Sequence, residues 1–561
     1  MGNMRRVCNQ CSAGFEITDA DLAFYDKMSP VFAGKKEPIP PPTLCPDCRL
    51  QRRLAFRNTG YVFQRPGFPD GKTIFSMFPP GAPVQPMRND AWASDAWDPF
   101  LYGENPDFSR PFFAQFGDLR SRVPVQTLGA VRVENCDYCN NVSDNKDCYL
   151  VFTTNQSQDC QYCEGCVAGQ DCMDCTALTR SELCYACTYC TGDFALQESQ
   201  YCDDCSDSLF LAFCRSCKDC FGCVNLRHKQ YCVWNEQKTK EEYEAFLRSF
   251  RASSWQTREQ YRAWFEEFLR RHPRPHAIFR QSEDVSGNFL QECRDAHDSY
   301  LTQRGESLRY CYYCVEGVKD CMDYSFFGRN TELVYETASS GLNLHRIAFS
   351  YQCRDGSSDL YYCWFCDGCS DCFGCVSLRK KRYCIFNKQY TKEQYNELVP
   401  TLIAHMRSTG EWGEFFPMPL SALAYNCTYA QRYFPLSREE ALGRGLFWHD
   451  EPPHANPAEI TDAAALPDEL PPDDGSLVVR SPAGRPFRVT SAEIKSLRRF
   501  QAPLPRLPYD ERMQRRASLL GGVTLYDRTC AKTGKPIKTT YPPDSPWIIW
   551  DRDAYEQEFG S

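Results

Sequence analysis

The feature that most limits what this chain can fold into is a cysteine register. Between Cys136 and Cys232 lie 18 cysteines, and each is a multiple of three residues from Cys136. Cys136, Cys148, Cys160, Cys172 and Cys184 step by twelve; Cys163, Cys175 and Cys187 form a second column, and Cys190, Cys202 and Cys214 a third. A fixed register held over this distance is the mark of a solenoid, in which short strands stack about 4.8 Å apart and small residues recur on the inside. Rungs of 12 residues, or of 18 built from hexads, both satisfy the spacing.

A looser copy follows. Cys214, Cys217, Cys220, Cys223 and Cys232 return as Cys366, Cys369, Cys372, Cys375 and Cys384, 152 residues on. Each copy runs into a capping box, Thr239–Glu242 and Thr391–Gln394, which starts a helix. Elsewhere in the second copy many cysteines have become Tyr, Val, Thr or Ser. Such losses would destroy metal sites, whereas small buried positions tolerate them, so the columns read as core packing. The two runs that persist, Cys214/Cys217/Cys220/Cys223 and Cys366/Cys369/Cys372/Cys375, stay candidate zinc or iron–sulfur ligands.

The sharpest chemical motif lies at the N-terminus. Cys8-x2-Cys11 and Cys45-x2-Cys48 are two knuckles, each offering two thiolates from one tight turn, and together they close a tetrahedron around a d¹⁰ cation. Thr18 and Asp21 predict a capped helix in the spacer. The chain ends in a copy of this module. Val7–Leu22 aligns without a gap on Val479–Ile494, and Arg49–Asp95 on Arg512–Glu558, matching Arg52, Arg53 and Arg65 to Arg515, Arg516 and Arg528. On this alignment Cys8, Cys11, Cys45 and Cys48 correspond to Arg480, Ala483, Pro508 and Glu511. Four ligands lost together behave as one site. The copy must then fold by packing alone, on Phe487, Tyr526, Trp547, Ile548 and Trp550.

The run Cys8-Asn-Gln-Cys11, Phe15, Phe24-Tyr25, Cys45-Pro-Asp-Cys48-Arg49 and Arg52-Arg53 resembles the "probable zinc-ribbon" domain of bacterial proteins. It is more similar still to the large cysteine-rich zinc-ribbon proteins of genome-reduced, ultra-small bacteria, over the whole chain. That resemblance implies zinc binding and no particular activity.

With 35 cysteines and eight histidines, the compartment decides the reading. The start has no apolar leader and no segment reaches the roughly 18 apolar residues of a membrane span, which predicts a cytoplasmic chain with reduced thiols. A net charge of −9 argues against wholesale wrapping of nucleic acid. Locally, Cys45–Arg65 carries five arginines and one acid among Phe56, Tyr61 and Phe63, so Arg49, Arg52, Arg53 and Arg57 are candidate nucleic-acid contacts. The other reading pairs them with an acidic solenoid. No phosphate loop, Rossmann glycine pattern, HExxH or GxSxG is present, and an enzyme is the minority reading.

The expected architecture is multidomain, mainly β with helices. It comprises a zinc-ribbon module (1–98), an aromatic connector (99–130), a first cysteine-rich β-solenoid repeat (131–235) and a helical hairpin (236–285). A second repeat (286–390), a helix and connector (391–449), a Pro- and acid-rich linker (450–475) and the metal-free module copy (476–561) complete it. The expected function is a zinc-binding scaffold or adaptor for a macromolecular partner, protein or nucleic acid. No small-molecule substrate is evident in the sequence. The alternative is a thiol redox or iron–sulfur protein using the CxxCxxCxxC runs.

Overall fold

The computed structural model describes residues 3–158, 160–165, 173, 175, 187–451 and 459–560; Cys166, Cys172 and Cys184 of the register, and residues 452–458 of the linker, lie outside them. The fold is mainly β with twelve α-helices among the described residues. It divides into two compact units. One gathers Met1–Leu128, Ala277–His449 and Val523–Leu525, the other Gly129–His276, Asp450–Gly522 and Tyr526–Ser561. Each unit thus combines one module with one cysteine-rich repeat, so the chain order of the segments is not their grouping.

The triplet register has a backbone cause. Along the described part of the second unit's stack every third residue is left-handed: Asn135, Tyr138, Asn141, Asp144, Asp147 and Leu150 have φ between +49° and +57°. Left-handed backbone turns the chain sharply, and Asn and Asp accept it at least cost. The residue after each such turn points inward, so Cys139, Val142, Cys148 and Val151 are buried. Four triads make one turn of twelve residues. Phe194–Gln197, Ser206–Leu209, Lys218–Phe221 and Gln230–Val233 accordingly pair in parallel, with Cys220 opposite Cys232.

An inward side chain here has a double polar duty, which explains why cysteine alternates with serine and threonine. The thiol of Cys148 donates to the carbonyl of Lys146 at 3.2 Å, as the Ser208 hydroxyl does to Ser206 at 2.7 Å. The same hydroxyl accepts the Cys220 amide from the next turn at 2.9 Å, and the Cys205 sulfur accepts the Cys217 amide at 3.4 Å. Small size and both hydrogen-bonding roles are what these positions require.

In the first unit, the corresponding sheet has eleven strands from Phe279–Arg280 to Lys388–Gln389. Its pairs step by eleven from Phe279 to Leu290 and from Glu283 to Arg294, by twelve at Arg294 to Glu306 and at Ser358 to Ser370, and by thirteen from Gly305 through Val318 to Thr331 and from Glu332 through His345 to Ser358. The extra residue sits where left-handed residues occur in succession, as at Phe326-Phe327, Leu342-Asn343 and Asp355-Gly356. Each insertion moves the triplet phase by one, which is why the second copy looks looser in sequence. No eighteen-residue step occurs among the described residues.

Around these stacks the aromatic segments pack as docking elements. In the first unit Phe112, on helix Phe112–Arg122, meets Tyr362 and Phe386 at 5.1 and 5.2 Å, and Phe116 meets Phe416 at 4.6 Å. The second unit's helices Lys240–Ser249 and Trp255–Arg270 lay Phe246, Phe250 and Tyr261 on Phe221. Both expected capping boxes are present.

Candidate metal centre

Cys8 leaves strand Met4–Val7, which pairs antiparallel with Gly14–Ile17. The knuckle turn is closed by Cys8 N–H to Ala13 O (2.9 Å) and Ser12 N–H to Cys8 O (3.0 Å), with Ser12 left-handed at φ +62°. Cys45 is the N-cap of helix Pro46–Leu54, whose proline at the first position costs no hydrogen bond, and Cys48 stands in its first turn. The sulfurs of Cys8, Cys11, Cys45 and Cys48 all lie within 4.8 Å of one another, and Cys11 and Cys45 are 3.6 Å apart. Cys8, Cys45 and Cys48 are buried while Cys11 reaches the surface.

Local chemistry favours anionic sulfur here. The Cys48 thiol donating to Cys45 lowers the Cys45 thiol to about 5, and the Gln10 amide donates to Cys8 Sγ at 3.4 Å. A helix N-terminus adds positive potential beside Cys45. That same hydrogen bond to Cys45, with burial and then the charge on Cys45, pushes the Cys48 thiol up. Four thiols, with no carboxylate or imidazole among them, form a donor set that could hold a metal ion and leave no coordination position open.

The C-terminal copy repeats the frame without the thiols. Leu477–Arg480 pairs with Pro486–Val489, Thr490 caps Ser491–Arg499 as Thr18 caps Asp19–Met28, and Pro508 precedes helix Tyr509–Leu519. Arg65 and Arg528 play one role, donating to the carbonyls of Pro79 (2.9 Å) and Pro542 (3.1 Å). The gapless alignment is off by one residue at the first knuckle, however. Ser481 N–H bonds Arg485 O as Cys8 N–H bonds Ala13 O, so Cys8 corresponds to Ser481 and not to Arg480. Nor does the copy hold by packing alone. Arg485 grips Asp510 with two bonds of 2.6 and 2.8 Å, joining the knuckle strand to the start of the following helix. This clamp was hidden in the sequence because the shortened loop obscures which residue faces Asp510.

Two sets of candidate ligands are not brought together. Among the described residues the groups of three or more Cys, His, Asp or Glu with converging ligand atoms are the four thiols above and Asp284, Asp295 and His297. Cys214/Cys217/Cys220/Cys223 and Cys366/Cys369/Cys372/Cys375 sit instead at successive inward positions of the stacks, with sulfurs bonded to carbonyls two residues back, as Cys223 to Phe221 (3.3 Å) and Cys372 to Ser370 (3.3 Å). Along the second run the thiols divide: hydrogen bonds from Cys366 and Cys372 lower Cys369 to about 4, while burial pushes Cys366, Cys372 and Cys375 up. Asp284, Asp295 and His297 escaped the sequence reading because they come from neighbouring strands; Asp295 is already held by Arg309 at 2.9 Å.

The basic face expected from Arg49, Arg52, Arg53 and Arg57 is not exposed. All four are buried. Arg49 pairs with Asp323 (2.7 Å), Arg53 with Asp323 (3.1 Å) and Glu336 (3.2 Å), and Arg52 with Glu336 (3.1 Å) and Glu414 (2.8 Å). Arg57 donates to Ser339 Oγ at 2.9 Å and lies over the Phe326 ring. Pairing with a cysteine-rich repeat was the other reading of these residues, and the acids come from the second repeat. The reason is local: helix Pro46–Leu54 lies against strands Val318–Ser325 and Thr331–Ala338, which carry Asp323 and Glu336.

The chain matches no protein-family model and no curated protein sequence. Among the described residues, no helix is long and apolar enough to cross a membrane.

Proposed function

We propose that this chain is a zinc-stabilised scaffold or adaptor of the cytoplasm, in which two β-solenoids present extended surfaces to a macromolecular partner, protein or nucleic acid. The observation that carries this reading is the eleven-strand stack from Phe279 to Gln389. At about 4.8 Å per strand it is roughly 50 Å long, the scale of an extended binding face. Its outward positions carry ladders of charge from turn to turn, with Arg304 between Glu292 (3.2 Å) and Glu316 (2.8 Å), and Lys319 beside Glu306 at 3.6 Å.

Zinc suits the four-thiol site because a closed sulfur tetrahedron is a structural site, with no position for substrate. The N-terminal module is then a zinc ribbon, in keeping with its resemblance to that domain. Metal analysis of full-length protein purified without oxygen tests this half. About one zinc per chain and a colourless solution that does not change on oxidant titration are expected. Iron with a visible absorption band sinks the reading in favour of an iron–sulfur protein. For the scaffold half, chemical crosslinks to a captured partner should fall on outward positions such as Arg304 and Lys319. Crosslinks found only away from both stacks refute it.

A further inference from the structure

The second unit holds a cavity of about 770 Å³, a size suited to a small-molecule ligand. Its wall is basic in a chain whose acids outnumber its bases, 73 to 64. Eight arginines and four carboxylates line it, together with Trp255 and Trp547. Arg274 is buried with its guanidinium 3.4 Å from the Trp547 ring centre, and its Nε has no hydrogen-bond partner among the described residues. Arg506 lies 4.2 Å over the Trp255 ring and donates to the carbonyls of Ala463 and Leu466; Asp468 on the same wall offsets its charge only in part, and burial holds the guanidinium below its ordinary value. Arg515 and Arg270 face Glu266 and Glu267 at 3.9 Å, beyond hydrogen-bond length.

Cations gathered in a partly dehydrated wall raise the free energy of the empty cavity, and an anion relieves it. Burial, reinforced by the Arg262 charge, pushes the Arg515 guanidinium below its ordinary value. The first unit shows the contrast. Arg52, which matches Arg515 in the duplicated module, is neutralised by Glu336 and Glu414. Guanidinium forks fit phosphate oxygens, and indole rings offer stacking surfaces to a planar base.

We propose that this cavity binds a nucleoside polyphosphate, its phosphates on Arg515, Arg270 and Arg274 and its base against the tryptophans. The inference is independent of the scaffold reading and of the metal site. Calorimetric titration of the full-length protein with ATP, and in parallel with inorganic tripolyphosphate, tests it. One ATP per chain should bind, with tripolyphosphate weaker by roughly tenfold or more because it lacks the stacking base. The double variant Arg515→Gln, Arg270→Gln should weaken ATP by roughly tenfold or more. Both side chains are about half exposed, 49% and 53%, so the fold should survive, as circular dichroism can verify. Absence of ATP binding, tripolyphosphate binding as tight as ATP, or unchanged ATP affinity in the folded double variant would each overturn the proposal.

Discussion

The two copies of the terminal module hold one joint by two chemistries. In each, a strand-turn-strand knuckle must be fixed to the start of a helix. The N-terminal copy brings four sulfurs together there, within 4.8 Å. The C-terminal copy puts Ser481 where Cys8 stands and lets Arg485 clamp Asp510. The comparison separates what the fold needs from how it is supplied. The joint is required; a metal, as proposed, would be one way to make it. It also argues that the four thiols are a structural device, since a salt bridge can take their place in the same frame.

The largest expected effect comes from removing the proposed zinc. A structural zinc contributes roughly 10–16 kcal/mol of apparent binding energy in small domains, because the unfolded chain has no preformed site. Chelation, or Cys45→Ser, should therefore strip amide-exchange protection from residues 4–54 by orders of magnitude. Residues 477–519 should keep theirs. Equal loss in both copies would break the comparison.

A second difference lies in the matched arginines. In the first unit Glu336 faces both Arg52 and Arg53 in a buried network. Removing one charge from such a network leaves the others uncompensated, at about 3–5 kcal/mol. Glu336→Gln should lower the urea midpoint of that unit accordingly. In the second unit Glu493 pairs with Arg512, the match of Arg49, at 2.9 Å and also meets Tyr162, and Glu493→Gln should cost about 1.5–3 kcal/mol. Glu493→Gln matching or exceeding Glu336→Gln would show that the two arginine sets are equivalent after all.

Much of this was legible in sequence, and the parts that were not share a cause. The twelve-residue step, the Thr18, Thr239 and Thr391 caps and the four-thiol motif each follow from residues close in the chain or fixed in period. The module duplication showed itself through Arg65 and Arg528, whose shared role depends on a turn of equal length in both copies. By contrast, nothing in the segment around Arg49 says that Asp323 and Glu336 will cover it, because those acids lie over 270 residues away. The backbone reason for the register was hidden too. Left-handed turns at Tyr138 and Leu150 break the usual preference for Gly or Asn, so composition gives no sign of them.

The two repeats differ at one inward position in a way that pH can expose. Counting inward positions back from Cys214 and Cys366, Asp193 takes the place that Leu344 fills in the first unit. Asp193 accepts the Cys205 amide at 2.6 Å, but its second oxygen is buried without a hydrogen bond. Burial, with Cys190, Asp203 and Asp204 nearby, pushes its carboxyl up to about 10. The folded-state value is thus above the unfolded one, near 3.9, so the folded chain keeps a proton that the unfolded chain releases. Stability is lost as pH rises from about 4 toward 10, and at pH 7 the penalty is roughly 2–4 kcal/mol. Asp193→Ser retains an acceptor for Cys205, as Ser208 does for Cys220. It should raise the thermal midpoint at pH 8 and leave it unchanged near pH 4. A pH-independent gain would show that Asp193 is charged in the fold.

The smallest effect tests the clamp itself. Arg485 and Asp510 keep about 30% and 27% of their side chains exposed, so water screens the pair and its worth is about 1 kcal/mol despite the two-bond geometry. Asp510→Asn preserves shape and removes the charge. The expected outcome is a drop of about that size in the stability of residues 477–519 by hydrogen exchange, which 1 M salt should largely erase in the parent chain. The same salt should leave residues 4–54 protected, since sulfur–metal bonds do not respond to screening. A salt response of equal size in both segments would mean that the N-terminal joint is also held by charge. The division between a metal-fixed copy and a salt-bridged one would then fail.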